Sequence, residues 1–128
     1  MSDVVLDASA VLAVLNGEPG ADEVWDHLPG AQLSAVNAAE VAAKLVDGGI
    51  GAEEAGQSLT RLGARIVPFT AADVVPAAHI RAATRSAGLS LGDRACLALA
   101  RRLGLPALTA DRQWRDLQVD VEVRLIRD

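Results

Sequence analysis

The sequence predicts one α/β domain built on a short, mostly parallel sheet. Short β-branched or aliphatic runs alternate with helical stretches along all 128 residues. That is the pattern of crossover units, in which a helix returns the chain to a parallel strand. No repeat, low-complexity tract or linker interrupts the alternation, and the length fits a single domain of roughly 100–200 residues. Apolar residues make up 51% of the chain and charged residues 23%, enough to bury a core and too apolar for disorder.

Each element has a local reason. Val4-Val5-Leu6 is a short buried-strand run, and Ala8 to Leu15 is apolar nearly all round before an Asn16-Gly17 helix stop. Asp7 therefore stands where a strand hands over to a helix, in an N-cap position. Pro19 to Leu28 reads as a second helix, with Pro near its start and Pro29-Gly30 after it. Gln32 to Val36 is the second strand, Asn37 to Val46 a helix closed by Gly48-Gly49, and Ala52 to Leu62 another closed by Gly63. Arg65 to Phe69 is the third strand, and Pro68, lacking an N–H, places it at a sheet edge or ends it. Thr70 opens a helical stretch to Ser86 in which Pro76 marks either a kink or the true start. Gly92 to Leu103 is a helix, Pro106 to Thr109 the fourth strand and Val121 to Ile126 a fifth.

Composition narrows the function classes. Aromatics are only 2%, so the exposed rings of a base-stacking nucleic-acid platform are missing. Cys96 is the sole cysteine, which excludes an intrachain disulfide and a Cys-based metal site and fits a reducing, cytoplasmic setting. The opening residues lack a signal-peptide pattern, and no run is long and apolar enough for a membrane span. The net charge of −5 is uneven: eleven acids and three basic residues occupy the first 80 positions, six acids and nine arginines the rest. The arginines read either as solvated helix faces or as a phosphate-facing surface.

In a parallel sheet, ligands gather beyond the carboxyl ends of the strands. Asp7 follows the first strand and Asp111 the fourth; Glu40 and Asp93 are placed in the first turns of the helices starting at Asn37 and Gly92. Singly, each is explained as a cap: Asn37-x-x-Glu40, Thr70-x-x-Asp73 and Ser90-x-x-Asp93 all have capping-box spacing. Together, four carboxylates at one sheet edge repel one another unless a cation neutralises them. Hard oxygen ligands suit Mg²⁺ or Mn²⁺, and such ions activate water for phosphodiester hydrolysis. No dinucleotide-binding, P-loop, zincin or serine-hydrolase motif is present, and His27, His79 and Cys96 read as structural.

Four segments in order resemble the motifs of the PIN domain family: Val4-Val5-Leu6-Asp7-Ala8-Ser9-Ala10, Leu33 to Val41, Leu89 to Ala100, and Leu108-Thr109-Ala110-Asp111-Arg112-Gln113-Trp114. They span nearly the whole chain, and the nearest group is the VapC-like toxins of type II toxin–antitoxin modules. The resemblance implies a three-layer fold of about five short strands flanked by helices, one PIN domain over residues 1–128, and a Mg²⁺- or Mn²⁺-dependent endoribonuclease. Asp7, Glu40, Asp93 and Asp111 fall on the family's acidic positions, implied as catalytic and metal-binding. Ser9, Asn37 and Thr109 match its polar neighbours. An RNA substrate, a small DNA-binding antitoxin, a homodimer and a heterotetramer or larger complex with the antitoxin follow from the resemblance, with no membrane association. The apolar Ala8–Leu15 stretch is read as part of a subunit interface. Arg94 and Arg112, each beside an acid, are candidates to hold RNA phosphates. Trp114 stands where the fourth motif usually ends in Phe, and no acidic position is missing. The alternative is a catalytically inactive PIN-like protein-interaction module. A response-regulator receiver fails because Asp7 has no acidic neighbour, the third strand runs into Pro68-Phe69-Thr70, and Lys44 is the sole lysine.

Overall fold

The computed structural model describes residues 3–128. Among them, five strands form one sheet in the order β3-β2-β1-β4-β5, every neighbouring pair parallel. The strands are β1 Val4–Leu6, β2 Ala31–Ser34, β3 Arg65–Val67, β4 Ala107–Thr109 and β5 Val123–Leu125. The helices are α1 Ala8–Asn16, α2 Ala21–His27, α3 Ala35–Asp47, α4 Ala52–Leu62, α5 Val74–Ala83 and α6 Leu91–Leu103. β3 lies at an edge, and the strand stops before Pro68, as the missing N–H requires.

The helices cover both faces. Val4 and Leu6 of β1 join a cluster with residues of α1, α2, α3 and α4, whereas Val5 joins a second cluster with Ile80 of α5, the Cys96–Ala100 run of α6 and Trp114. This alternation across β1 is the two-residue period of a strand sandwiched between helix layers. All three side chains are wholly buried, and each contributes about 1.5–3 kcal/mol by leaving water. The core is aliphatic and rich in alanine, with Trp114 its largest fully buried side chain.

Several boundaries differ from the sequence reading. α3 begins at Ala35, not Asn37, because Ser34 Oγ accepts the Val36 N–H at 3.2 Å and caps the helix first. Asn37 is therefore a wholly buried residue inside the helix, and Glu40 lies beyond the first turn. α2 starts at Ala21, and Leu28–Gly30 form a 3₁₀ turn after it. The Thr70–Ser86 stretch breaks into 3₁₀ turns at Ala71–Asp73 and Arg85–Ala87 around α5, in whose first turn Pro76 sits. There its missing N–H removes no helical bond. Gly17, at φ 63°, closes α1 by donating to the Ala13 and Val14 carbonyls, a left-handed conformation that a Cβ penalises.

α1 packs mainly against its own chain. Ala10, Val11 and Ala13 are buried, and Ala8, Leu12, Val14 and Leu15 pack against the same core. The all-round apolar pattern thus reflects a helix packed largely against its own chain, with Leu12, Val14 and Leu15 half-buried. The large exposed apolar side chains are elsewhere, including Val74 and Val75 on α5 and Trp25 on α2.

Candidate metal centre

The chain order creates the site. From β1 the chain progresses outward to β2 and β3, then returns to place β4 on the other side of β1. The segments leaving β1 and β4 diverge beyond the strand ends, which opens a crevice at this topological switch point. Asp7 immediately follows β1, and Asp111 is two residues past β4. α3 and α6, from opposite layers, meet above the same edge, bringing Glu40 and Asp93 to it. Asp7, Glu40, Asp93 and Asp111 line one cavity of about 300 Å³, with Ser9, Leu12 and Lys44.

Each carboxylate is held by the backbone around it. Asp7 occupies the N-cap position of α1 without capping it. Its Oδ2 accepts instead from Ser9 Oγ at 2.7 Å and Thr109 Oγ1 at 2.9 Å. Those hydroxyls accept in turn from the Ala110 and Asp111 amides, at 2.9 and 3.0 Å. Each hydroxyl has one proton, and both point at Asp7, so the 3.2 Å approach of Ser9 to Thr109 carries none. The β4 end is thereby tied to Asp7 through two side chains.

Asp93 and Ser90 form a reciprocal capping box: the Ser90 amide donates to Asp93 Oδ2 at 3.0 Å, and the Asp93 amide to Ser90 Oγ at 3.1 Å. Asp111 Oδ1 accepts the Gln113 amide at 2.9 Å and caps the 3₁₀ turn Arg112–Asp116. Capping and site-lining are therefore not exclusive here: the cap occupies one oxygen of Asp93 and one of Asp111. Glu40 is fixed by Asn37, whose Nδ2 donates to Glu40 Oε1 and to the Gly92 carbonyl, both at 3.0 Å. This single amide joins α3 to the first turn of α6.

Asp7 carries the electrostatic cost. Burial raises its pKa from 3.8 to about 6, and the nearby Asp93 charge pushes the same way, against the two hydroxyl bonds. None of the four acids has an ion-pair partner among the described residues.

A model of the PIN domain family matches residues 4–119. The chain belongs to the PIN domain family. Comparison with curated protein sequences gave no match. Among solved structures, VapBC2 from Rickettsia felis bound to a fragment of promoter DNA is 14% identical with a TM-score of 0.75, over 96% of this chain and 98% of that one. A toxin–antitoxin complex from Klebsiella pneumoniae is 15% identical with a TM-score of 0.74, over 98% of both chains. FitAcB from Neisseria gonorrhoeae is 24% identical with a TM-score of 0.67, over 94% and 95%. These likenesses are of fold.

The donor set of this PIN domain suits a hard divalent cation: carboxylate oxygens and hydroxyls, with no sulfur or imidazole among the lining residues. Among the described residues, no three acidic, His or Cys side chains form a ready-made cage. Mg²⁺ needs none, since it keeps several waters and takes one or two carboxylates. Asn37 Oδ1 is buried without a hydrogen-bond partner, as is Trp114 Nε1 in the core, and Asn37 does not itself line the cavity.

Two residues of this PIN domain escaped the sequence reading. Gly92 is one: a Cβ there would overlap the Glu40 carboxylate, so any other residue displaces that carboxylate from its place beside Asn37. Gly92→Ala should stabilise a Glu40→Ala background by up to about 1 kcal/mol of helix propensity in urea unfolding, and should stabilise the wild-type background less, because there the carboxylate must move; equal effects in the two backgrounds would contradict the contact. Glycine in a helical first turn, between Leu91 and Asp93, was the available signal. Lys44 is the other, the one cationic residue lining the cavity, signalled by its i+4 spacing from Glu40. Arg94 and Arg112 do not line it. Arg94 Nε bonds the Ser90 carbonyl at 3.3 Å, and Arg101 pairs loosely with Asp120 at 3.9 Å.

Proposed function

We propose that this PIN domain is a Mg²⁺- or Mn²⁺-dependent endoribonuclease that hydrolyses RNA phosphodiesters and acts as the toxin of a VapBC-like toxin–antitoxin pair. The observation that carries the reading is the buried Asp7 carboxylate, held by Ser9 and Thr109 in one cavity with three further acids. The cluster is costly as an anion group and is relieved by a cation.

Asp7, Glu40, Asp93 and Asp111 would hold the metal, one or two of them directly and the others through its waters. When bound, it lowers the pKa of a coordinated water and stabilises charge on the phosphoryl oxygens. The residues of the chain supply orientation. Ser9 and Thr109 fix the Asp7 carboxylate, Asn37 fixes Glu40, and the Ser90 amide fixes Asp93. Water adds to phosphorus, the P–O bond to the leaving nucleotide breaks, one proton of the water ends on the leaving oxygen and the other passes to solvent; the held carboxylates would orient the reacting groups.

The toxin–antitoxin complex and the promoter-bound VapBC2 among the structural neighbours support a small DNA-binding antitoxin as partner. The chain is expected to form a homodimer that assembles with this antitoxin into a heterotetramer or larger complex. Among the described residues no helix is long and apolar enough to cross a membrane. Multi-angle light scattering of the isolated chain should give twice the 13.3 kDa monomer mass; a monomer at all working concentrations would contradict the pairing.

The test of the activity is incubation of a mixed-sequence single-stranded RNA pool with the protein in EDTA, Mg²⁺ and Mn²⁺. Cleavage only with the divalent ions is expected. Intact RNA under all three conditions, from a folded protein, would favour a binding-only module.

A further inference from the structure

The acid cavity does not end at the acids. It adjoins a second groove of about 460 Å³ lined by Leu12, Asn16, Glu18, Leu45, Gly48 and Ile50, and the two share Leu12 and Lys44. Lys44 stands at the joint, one helical turn beyond Glu40 on α3. It is exposed and makes no ion pair with any described residue, although carboxylates line the cavity beside it. A cation at the mouth of an anionic site, where that site opens into a mostly uncharged groove, matches a polynucleotide strand leaving the cleavage point. The Lys44 ammonium can meet a phosphate as a point charge, and the bases can rest on apolar surface such as Leu12, Leu45 and Ile50.

We infer that Lys44 is a positioning residue that holds an RNA phosphate flanking the scissile bond and directs the strand into the groove between α1 and the C-terminal end of α3. The inference rests on the ribonuclease reading and assigns the grip near the metal centre to Lys44 rather than to Arg94 or Arg112. The competing role is a helix-end cation that only offsets the negative cluster and the α3 dipole.

Salt dependence separates the two. Binding of a fluorescein-labelled, mixed-sequence single-stranded oligoribonucleotide is measured by anisotropy in EDTA from 50 to 300 mM KCl, for wild type, Lys44→Met and Lys44→Arg. Cleavage of the same RNA is followed against Mg²⁺ concentration. Lys44→Met should bind about tenfold more weakly, as expected for a lost charge-assisted contact, and lower the slope of log K against log salt by about 0.7. Lys44→Arg should restore affinity and slope, and the Mg²⁺ concentration for half-maximal cleavage should not move. If wild type binds RNA and Lys44→Met binds it with the same affinity and slope, the assignment is wrong while the ribonuclease reading stands. A Lys44→Met protein that only needs less Mg²⁺, with RNA binding unchanged, would establish the offsetting role instead. If wild type itself neither binds nor cleaves the RNA, both readings fall.

Discussion

Asp7→Asn, Asp93→Asn and Glu40→Gln should each remove RNA cleavage while the chain stays folded. The argument is one of position. These carboxylates line the same cavity as Asp111, each oriented by a neighbour rather than left to solvent. Altering groups that merely orient metal ligands costs about 10–100-fold, so neutralising a ligand should cost at least about 100-fold. The fold should survive because each change relieves like-charge repulsion and keeps the shape of the side chain. Ser9→Ala and Thr109→Val leave the carboxylate in place but loosen it, and should give the intermediate 10–100-fold loss. Single-turnover cleavage, with circular dichroism as the folding control, checks the series. An Asp93→Asn protein cleaving at the wild-type rate would remove Asp93 from the site.

Without divalent ions, Asp7→Asn should make the protein more stable at neutral pH. The Asp7 pKa is about 6 in the folded chain against 3.8 for the unperturbed group. The folded state therefore binds the proton more tightly than the unfolded one. The resulting stability is fully present below about pH 4 and is lost as pH rises through about 6. The gap corresponds to on the order of 3 kcal/mol forfeited by the metal-free wild type above pH 7. Asn reproduces the neutral form at every pH. In EDTA at pH 8 its melting temperature should exceed wild type by ~10 °C, and the difference should close by pH 4. Saturating Mg²⁺ should stabilise wild type by RT ln(1 + [L]/Kd), about 2.7 kcal/mol at 100 Kd, and help the variant less. A wild type that is the more stable of the two in EDTA at pH 8 would refute the buried-charge account.

The fold was legible because its signals are local. The run Val4-Val5-Leu6, the Gly17 stop and Pro68 at the edge strand each act within a few residues. Positions Asp7 and Asp111 follow from strand ends, so the carboxyl-edge rule located them without any tertiary knowledge. Glu40 was harder. Asn37-x-x-Glu40 imitates a capping box, but Ser34, at the end of β2, reaches the helix first. That two-residue extension turns Asn37 from a cap into a buried clamp between α3 and α6. Sequence spacing alone could not choose between two competing caps. Ala8–Leu15 posed a related ambiguity: an apolar helix looks the same whether its own chain or a second subunit covers it, and here α2, α3 and the sheet cover most of it. Gly92 matters through Glu40, which packs opposite it across the meeting of α3 and α6, and Lys44 through the acids and groove beside it; a first-turn glycine and an i+4 spacing mark these positions but do not report their neighbours.

The claim that the acids form a metal centre is tested most directly by anomalous diffraction from crystals soaked in Mn²⁺. The account predicts an anomalous peak inside the cavity bounded by Asp7, Glu40, Asp93 and Asp111, with Asp7 among its ligands, and no such peak in Asp7→Asn crystals. An empty cavity at saturating Mn²⁺, in crystals of protein that cleaves RNA, would contradict it.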